Sequence, residues 1–207
     1  MLISDLQTTH PTETYPSLMP FSLDFHSARL SDEQFEELCL NNRDMKFEMS
    51  ATGDLIIVAP TSPESGWKNS DLNYEVVKWS KKDGTGIVFD SSTIFTFPNK
   101  AKRSPDVSWM PREKWEAVPK IERKKFTKVV PDFVIELLSP TDSLFATREK
   151  MEEYITNGVL LGWLIDPEKK TVYVYRANGE IEVLKDPEKV LGENVLPAFE
   201  LNVREIW

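Results

Sequence analysis

Residues 129–140 read VVPDFVIELLSP, and this stretch decides the fold. From Val129 to Leu138 nearly every position is apolar, with Asp132 and Glu136 as the charged exceptions. Such a run predicts a central strand covered on both faces. Strand alternation then places Asp132, Val134, Glu136 and Leu138 on one face. An ionised carboxylate at Glu136 is costly there unless a cation pairs with it or coordinates through it. Asp132 follows a proline at the start of the run and is read as a strand-entry residue.

The neighbouring segments turn this strand into a fold. A helix is predicted over about 143–157, started by Ser139, Thr141 and Asp142 and ended at Asn157-Gly158, where glycine suits a left-handed cap. Val159 to Ile165 is a second buried strand, so 129–165 is long enough for a right-handed strand–helix–strand crossover. Thr171–Arg176 and Glu180–Leu184 flank Asn178-Gly179, a strong hairpin signal. Upstream, Leu30-Ser31-Asp32-Glu33-Gln34-Phe35 has a capping box and a hydrophobic staple, opening a helix that ends near Asn41-Asn42. Lys46–Ser50 and Leu55–Ala59 form a hairpin around Thr52-Gly53-Asp54, which Pro60 to Pro63 stop. Leu72, Val76 and Trp79 recur with helical spacing over about 68–82. Residues 87–90 and 94–97 read as two strands or one bent strand, and another strand runs from Pro105 through Val107-Ser108-Trp109. The reading is an α/β chain with a mixed α+β sheet, flanking helices and extra hairpins. Residues 1–28 form an extended N-terminal arm, and 29–207 form a single domain.

Composition bounds what such a fold can do. The chain has 207 residues, 40% of them hydrophobic and 29% charged, as in an ordinary globular domain. No apolar run approaches the ~20 residues needed to cross a bilayer. The first residues lack the basic and apolar regions of a secretion signal, so the cytoplasm is the expected location. Cys39, the single cysteine, excludes an internal disulfide and reads as core beside Phe35 and Leu38. His10 and His26 lie near one end, which argues against a histidine-rich zinc site. The net charge of −9 weighs against a generic nucleic-acid binder. Residues 100–128 are an exception: ten basic residues against four acids give this segment +6. Within it, Lys102, Arg103, Lys124 and Lys125 are candidate phosphate contacts on a local basic face, the alternative being a solvated loop.

Ser104-Pro105-Asp106 precedes the central strand by thirty residues. If its strand pairs with that one, Asp106 and Glu136 meet at one end of the sheet. Two adjacent carboxylates repel, and a divalent cation removes the conflict. Oxygen donors without histidine or cysteine favour Mg²⁺ or Mn²⁺. A buried ion pair with Lys150 is the alternative account of Glu136.

FEMSATGDL, SPDVSWM, PDFVIELLSPTDS, the spacing from Lys150 to Tyr154 before NGV, GWLIDPEKKTVYVYR and LPAFELNV occur in that order. Together they resemble the Uma2 family of restriction-endonuclease-like proteins, within the PD-(D/E)XK nuclease superfamily. The resemblance implies a restriction-endonuclease-like core, with Asp106 and Glu136 as metal-binding carboxylates. It also implies that the lysine found in the wider superfamily two residues after the second acid, where this chain has Leu138, is replaced by Lys150 on the next helix. Glu48 matches a further acidic position. Many relatives carry a histidine at the start of the helix after the first hairpin; SPESGWKNSDL has none, and Glu64 or Glu75 could supply an acid from this region. The expected activity is metal-dependent hydrolysis of DNA phosphodiester bonds, with a homodimer able to cut both strands. The competing expectation is an inactive nuclease fold that binds nucleic acid or protein. A glycosidase is disfavoured, since no aromatic sugar platform is evident.

Overall fold

The computed structural model describes residues 21–23 and 30–207. The arm expected at 1–28 therefore lies outside the described residues, except for a short strand β1 (Phe21–Leu23). Then follow α1 (Asp32–Asn41), β2 (Lys46–Met49), β3 (Leu55–Val58), α2 (Pro63–Asp83) and β4 (Gly86–Asp90). β5 (Phe95–Thr96), β6 (Lys102–Arg103), β7 (Val107–Pro111) and α3 (Arg112–Glu116) lead into β8 (Phe133–Leu137). α4 (Leu144–Thr156), β9 (Leu161–Asp166), β10 (Thr171–Arg176), β11 (Ile181–Lys185), β12 (Lys189–Leu191) and β13 (Glu200–Asn202) complete the chain.

β8 is central, as its apolar run requires. It sits in a six-stranded sheet of order β11-β10-β9-β8-β7-β4. It pairs parallel with β9 across the α4 crossover and antiparallel with β7, which makes the sheet mixed. Phe133, Ile135 and Leu137 face a core built with Leu72 and Val76 of α2 and with Phe199, Leu201 and Val203 near the C-terminus. Val134 faces the other core, with Met151 and Tyr154 of α4 and with Phe95 and Phe97. Both faces are covered, so alternation of polarity is lost and Glu136 is the one acid in the strand. Gly86 opposite Pro111 admits the indole of Trp109, whose ring lies where a Cβ would stand.

A second sheet has the order β1-β3-β2-β6-β5 and packs on α1 through Phe35, Phe47, Met49 and Leu55. β6 passes through Ser104-Pro105-Asp106 straight into β7, so the two sheets meet at the residues of interest. β12 and β13 form a separate ribbon, absent from the sequence reading.

The Ser31–Gln34 capping box, the Asn42 cap, and both hairpins with left-handed Gly53 and Gly179 occur as expected. α2 begins earlier than its apolar spacing indicated. Ser62 accepts the Ser65 N–H, and Pro63 is the first helical residue, where its missing N–H has no helical acceptor to lose. α4 is capped by Ser143 rather than by Ser139 or Thr141; Asp142 instead closes its own turn onto the Ser139 N–H at 2.8 Å. β4 and β5 separate into different sheets because Asp90 folds the chain back by accepting from the Ser92 amide and hydroxyl. Among the described residues no helix is long and apolar enough to cross a membrane.

Candidate active site

The register of β7 against β8 pairs Val107 with Ile135, and one step further sets Asp106 opposite Glu136. Cross-strand neighbours of this kind share a face. The Leu137 N–H donates to Asp106 Oδ2 at 2.9 Å, which ties the carboxylate to the end of β8. Glu48 arrives from the other sheet. The Met49–Lys102 pair of β2 and β6 sets Glu48 opposite Arg103, and the Ser104 N–H donates to Glu48 Oε1 at 3.1 Å.

α4 and β6 supply the cations and donors that hold these acids. Lys150 Nζ bridges them, 3.0 Å from Glu48 Oε1 and 2.9 Å from Glu136 Oε1. Tyr154, one turn on, donates its hydroxyl to the same Glu136 oxygen at 2.7 Å. The Arg103 guanidinium lies 3.3 Å from Glu48 Oε2 and donates through Nε to Glu153 Oε2 at 2.6 Å. Asn99 Nδ2 donates to Glu153 Oε1 at 2.9 Å. Lys150 is thus a bridging ammonium inside the protein. The alternative account of Glu136, a buried pair with Lys150, describes a real contact and leaves part of the site's charge unexplained.

That charge shows in the titration of the group. Burial raises Glu48, but Lys150, Arg103 and Lys46 outweigh it and hold the carboxyl below its ordinary range. Burial also raises Glu136, to about 7; Lys150 pulls it down, while Asp106 and Glu48 push it further up. Asp106 is raised by burial too, against the Leu137 N–H and the cations Lys46 and Lys150. Lys150 stays protonated well beyond its usual range, because Glu136 and Glu48 more than offset its burial.

A consequence for stability follows. Glu136 has a folded pKa near 7 against an ordinary value of 4.5, so the native chain holds this proton more tightly than the unfolded chain. Its contribution to stability is therefore full below about pH 4.5 and is lost as pH rises towards 7. Glu136→Gln removes this loss. Urea unfolding at pH 5 and pH 8 should show the variant gaining on the parent by roughly 2–3 kcal/mol over that interval. Parallel changes in both proteins would mean another group carries the proton.

The donor set suits a hard cation. Among the described residues, the hydrogen bonds and ion pairs of Glu136 fall on Oε1 and that of Asp106 on Oδ2, leaving one oxygen of each carboxylate to spare. Histidine and cysteine are absent from the cluster, which favours Mg²⁺ or Mn²⁺ over zinc. The two oxygens alone do not complete a coordination sphere, and no group of three or more His, Cys, Asp or Glu among the described residues stands ready as a full cage. Mg²⁺ sites commonly make up the difference with water and substrate phosphate.

The sequence-predicted residues divide. Asp106, Glu136, Lys150 and Glu48 come together. Lys102 is corrected: its ammonium is buried against Asp32 at 2.5 Å and over the Phe35 ring, so it offers nothing to a phosphate backbone. Arg103 is likewise turned inward to Glu48 and Glu153. Lys124 and Lys125 are exposed beside the turn Glu122–Lys124. Elsewhere in the basic segment, Lys114 pairs with Asp132 and Lys128 with Asp32. Glu64 and Glu75 stay out of the cluster, paired with Lys68 and Lys78 on their own helix. Tyr154 and Glu153 were missed as site residues, although i+4 and i+3 spacing from Lys150 puts both beside it on α4.

No curated protein matches the chain. A crystal structure of an Anabaena variabilis protein described as a "putative nuclease" superposes with a TM-score of 0.70 at 24% sequence identity, covering 86% of this chain and 97% of the other. That likeness establishes the fold. The model of a family described as "Putative restriction endonuclease" matches residues 32–204. A match over that much of the sequence, on the fold just described, makes this chain a member of the Uma2 family.

Proposed function

We propose that the protein is a metal-dependent endonuclease that hydrolyses DNA phosphodiester bonds. The observation that carries this reading is the pairing of Asp106 with Glu136, each with a carboxylate oxygen to spare and a lysine ammonium alongside. Asp106 and Glu136 would hold Mg²⁺ or Mn²⁺. When bound, such an ion would lower the pKa of a water and polarise a phosphoryl oxygen. Tyr154 and Lys150 orient Glu136 through Oε1, which leaves its other oxygen for the cation it would hold. Lys150 also sets positive charge beside the position where the phosphate gains negative charge. Glu136 and Glu48 keep Lys150 protonated, and Glu48 also holds it in place. Lys124 and Lys125 meet the phosphate backbone, and cutting both strands calls for a homodimer with two such sites.

The test is cleavage of a supercoiled plasmid and of labelled oligonucleotides with Mg²⁺, Mn²⁺ or EDTA. Nicking or linearisation that requires the divalent ion is expected. A second reading, a non-catalytic module that binds nucleic acid or protein, draws support from how much of the basic segment is turned to carboxylates within the molecule. Lys102, Arg103 and Lys114 each face a carboxylate within the molecule, and the exposed Lys128 shares Asp32 with Lys102. DNA retention without metal-dependent cleavage in the same assay would favour it.

A further inference from the structure

We propose that Arg103 is a positioning residue of this site: it locks α4 to β2 and thereby fixes the Lys150 ammonium between Glu48 and Glu136. The inference rests on the nuclease reading for its kinetic consequences only. Its basis is a closed circuit of charges. Arg103 reaches Glu48 at 3.3 Å with one arm and Glu153 at 2.6 Å through Nε. Glu153 lies three residues after Lys150 on α4, and Lys150 returns to Glu48 at 3.0 Å. The circuit therefore begins and ends on the same carboxylate of β2, passing through the neighbouring strand β6 and one turn of α4.

Each member has few alternatives. Glu48 is 3% exposed and Arg103's side chain 12%. Asn99 secures the far side twice: its side chain donates to Glu153, and its backbone N–H donates to Asn157 Oδ1 at the end of α4. A guanidinium serves two carboxylates because its donors form a rigid planar fork; an ammonium is a single point. Without Arg103, Glu48 keeps Lys150 and the Ser104 N–H but loses the arm that sets its orientation. Glu153 is then left to Asn99, and α4 loses its charged anchor to β6. The ammonium then no longer bridges the two acids in one geometry.

The test uses Arg103→Gln and Arg103→Lys in the full chain, with three measurements. The first is the ¹⁵N–¹H signal of the Lys150 ammonium at neutral pH, assigned by its absence in Lys150→Met. A slowly exchanging signal is expected in the parent, and its loss or broadening in both variants. The second is cleavage kinetics: kcat should fall about 10–100-fold with KM nearly unchanged, as for other residues that orient a metal site from behind. The third is DNA affinity in Ca²⁺ across a salt series, where both variants should match the parent. Arg103→Lys keeps the charge and covers the case in which Arg103→Gln fails to fold.

An intact Lys150 signal in Arg103→Lys would overturn the proposal. So would weaker DNA binding with a shallower salt dependence and an unchanged kcat, which would make Arg103 a phosphate contact. If the parent itself cleaves nothing, the nuclease reading fails, and the ammonium signal still decides whether Arg103 positions Lys150.

Discussion

Glu136→Gln is expected to abolish metal-dependent cleavage, lowering it by about 10³-fold or more, equivalent to roughly 4 kcal/mol of transition-state stabilisation. The substitution changes charge and little else. A glutamine carbonyl still accepts from Tyr154 and Lys150, and the shape of the buried site is kept. What disappears is the negative charge on the carboxylate oxygen left for a cation. Folding does not suffer, because the lost carboxylate is the one that burial and its acidic neighbours already push to about 7. Asp106→Asn should behave alike: its side-chain oxygen retains the Leu137 N–H, and the negative charge goes. Both variants should also lose the Mn²⁺-dependent rise in melting temperature expected of the parent. Cleavage that persists within tenfold in either variant, at unchanged stability, would remove the two carboxylates from the chemistry.

The part of this site that the sequence made legible is the part coded locally. The apolar run around Glu136 is legible because a strand buried on both faces tolerates no other pattern, and an acid inside it demands a cause. The Ser31–Gln34 box and the Asn178-Gly179 turn are legible because their hydrogen bonds lie within a few residues of each other. Lys102 and Arg103 show what was not. Side by side in a basic stretch, they read as surface charge. The short strand β6 sends them to opposite faces, Lys102 to Asp32 and Arg103 to Glu48 and Glu153. Those partners stand 70, 55 and 50 residues away. Nothing within the stretch itself distinguishes a charge that meets solvent from one that meets a distant carboxylate, since both give the same local composition. The start of α2 failed for a different reason: Pro63 carries the same letter whether it stops a strand or opens a helix, and only the serine before it decides.

Lys150→Met tests the site through stability rather than catalysis. The parent ammonium lies within 3.0 Å of Glu48 and of Glu136, both almost fully buried. Removing one partner of a buried pair leaves the other's charge uncompensated, at a cost of about 3–5 kcal/mol. For a chain of this size that lowers the melting temperature by roughly 10 °C. The cost should be largest near pH 8, where Glu136 is ionised, and smaller near pH 5.5, where it keeps its proton. Lys78→Met, which removes an exposed pair with Glu75, should change stability by no more than about 0.5 kcal/mol. Millimolar Mn²⁺ should then stabilise Lys150→Met more than it stabilises the parent. In the variant the ion is the main positive charge near Glu136, and a ligand that binds only the folded state raises stability with its own affinity. Cleavage should nonetheless be lost, because the ion cannot replace the ammonium beside the phosphate. A variant as stable as the parent at pH 8 would mean that the ammonium does not neutralise these acids. An equal Mn²⁺ shift in both proteins would place the cation away from Lys150, and with it away from Glu136.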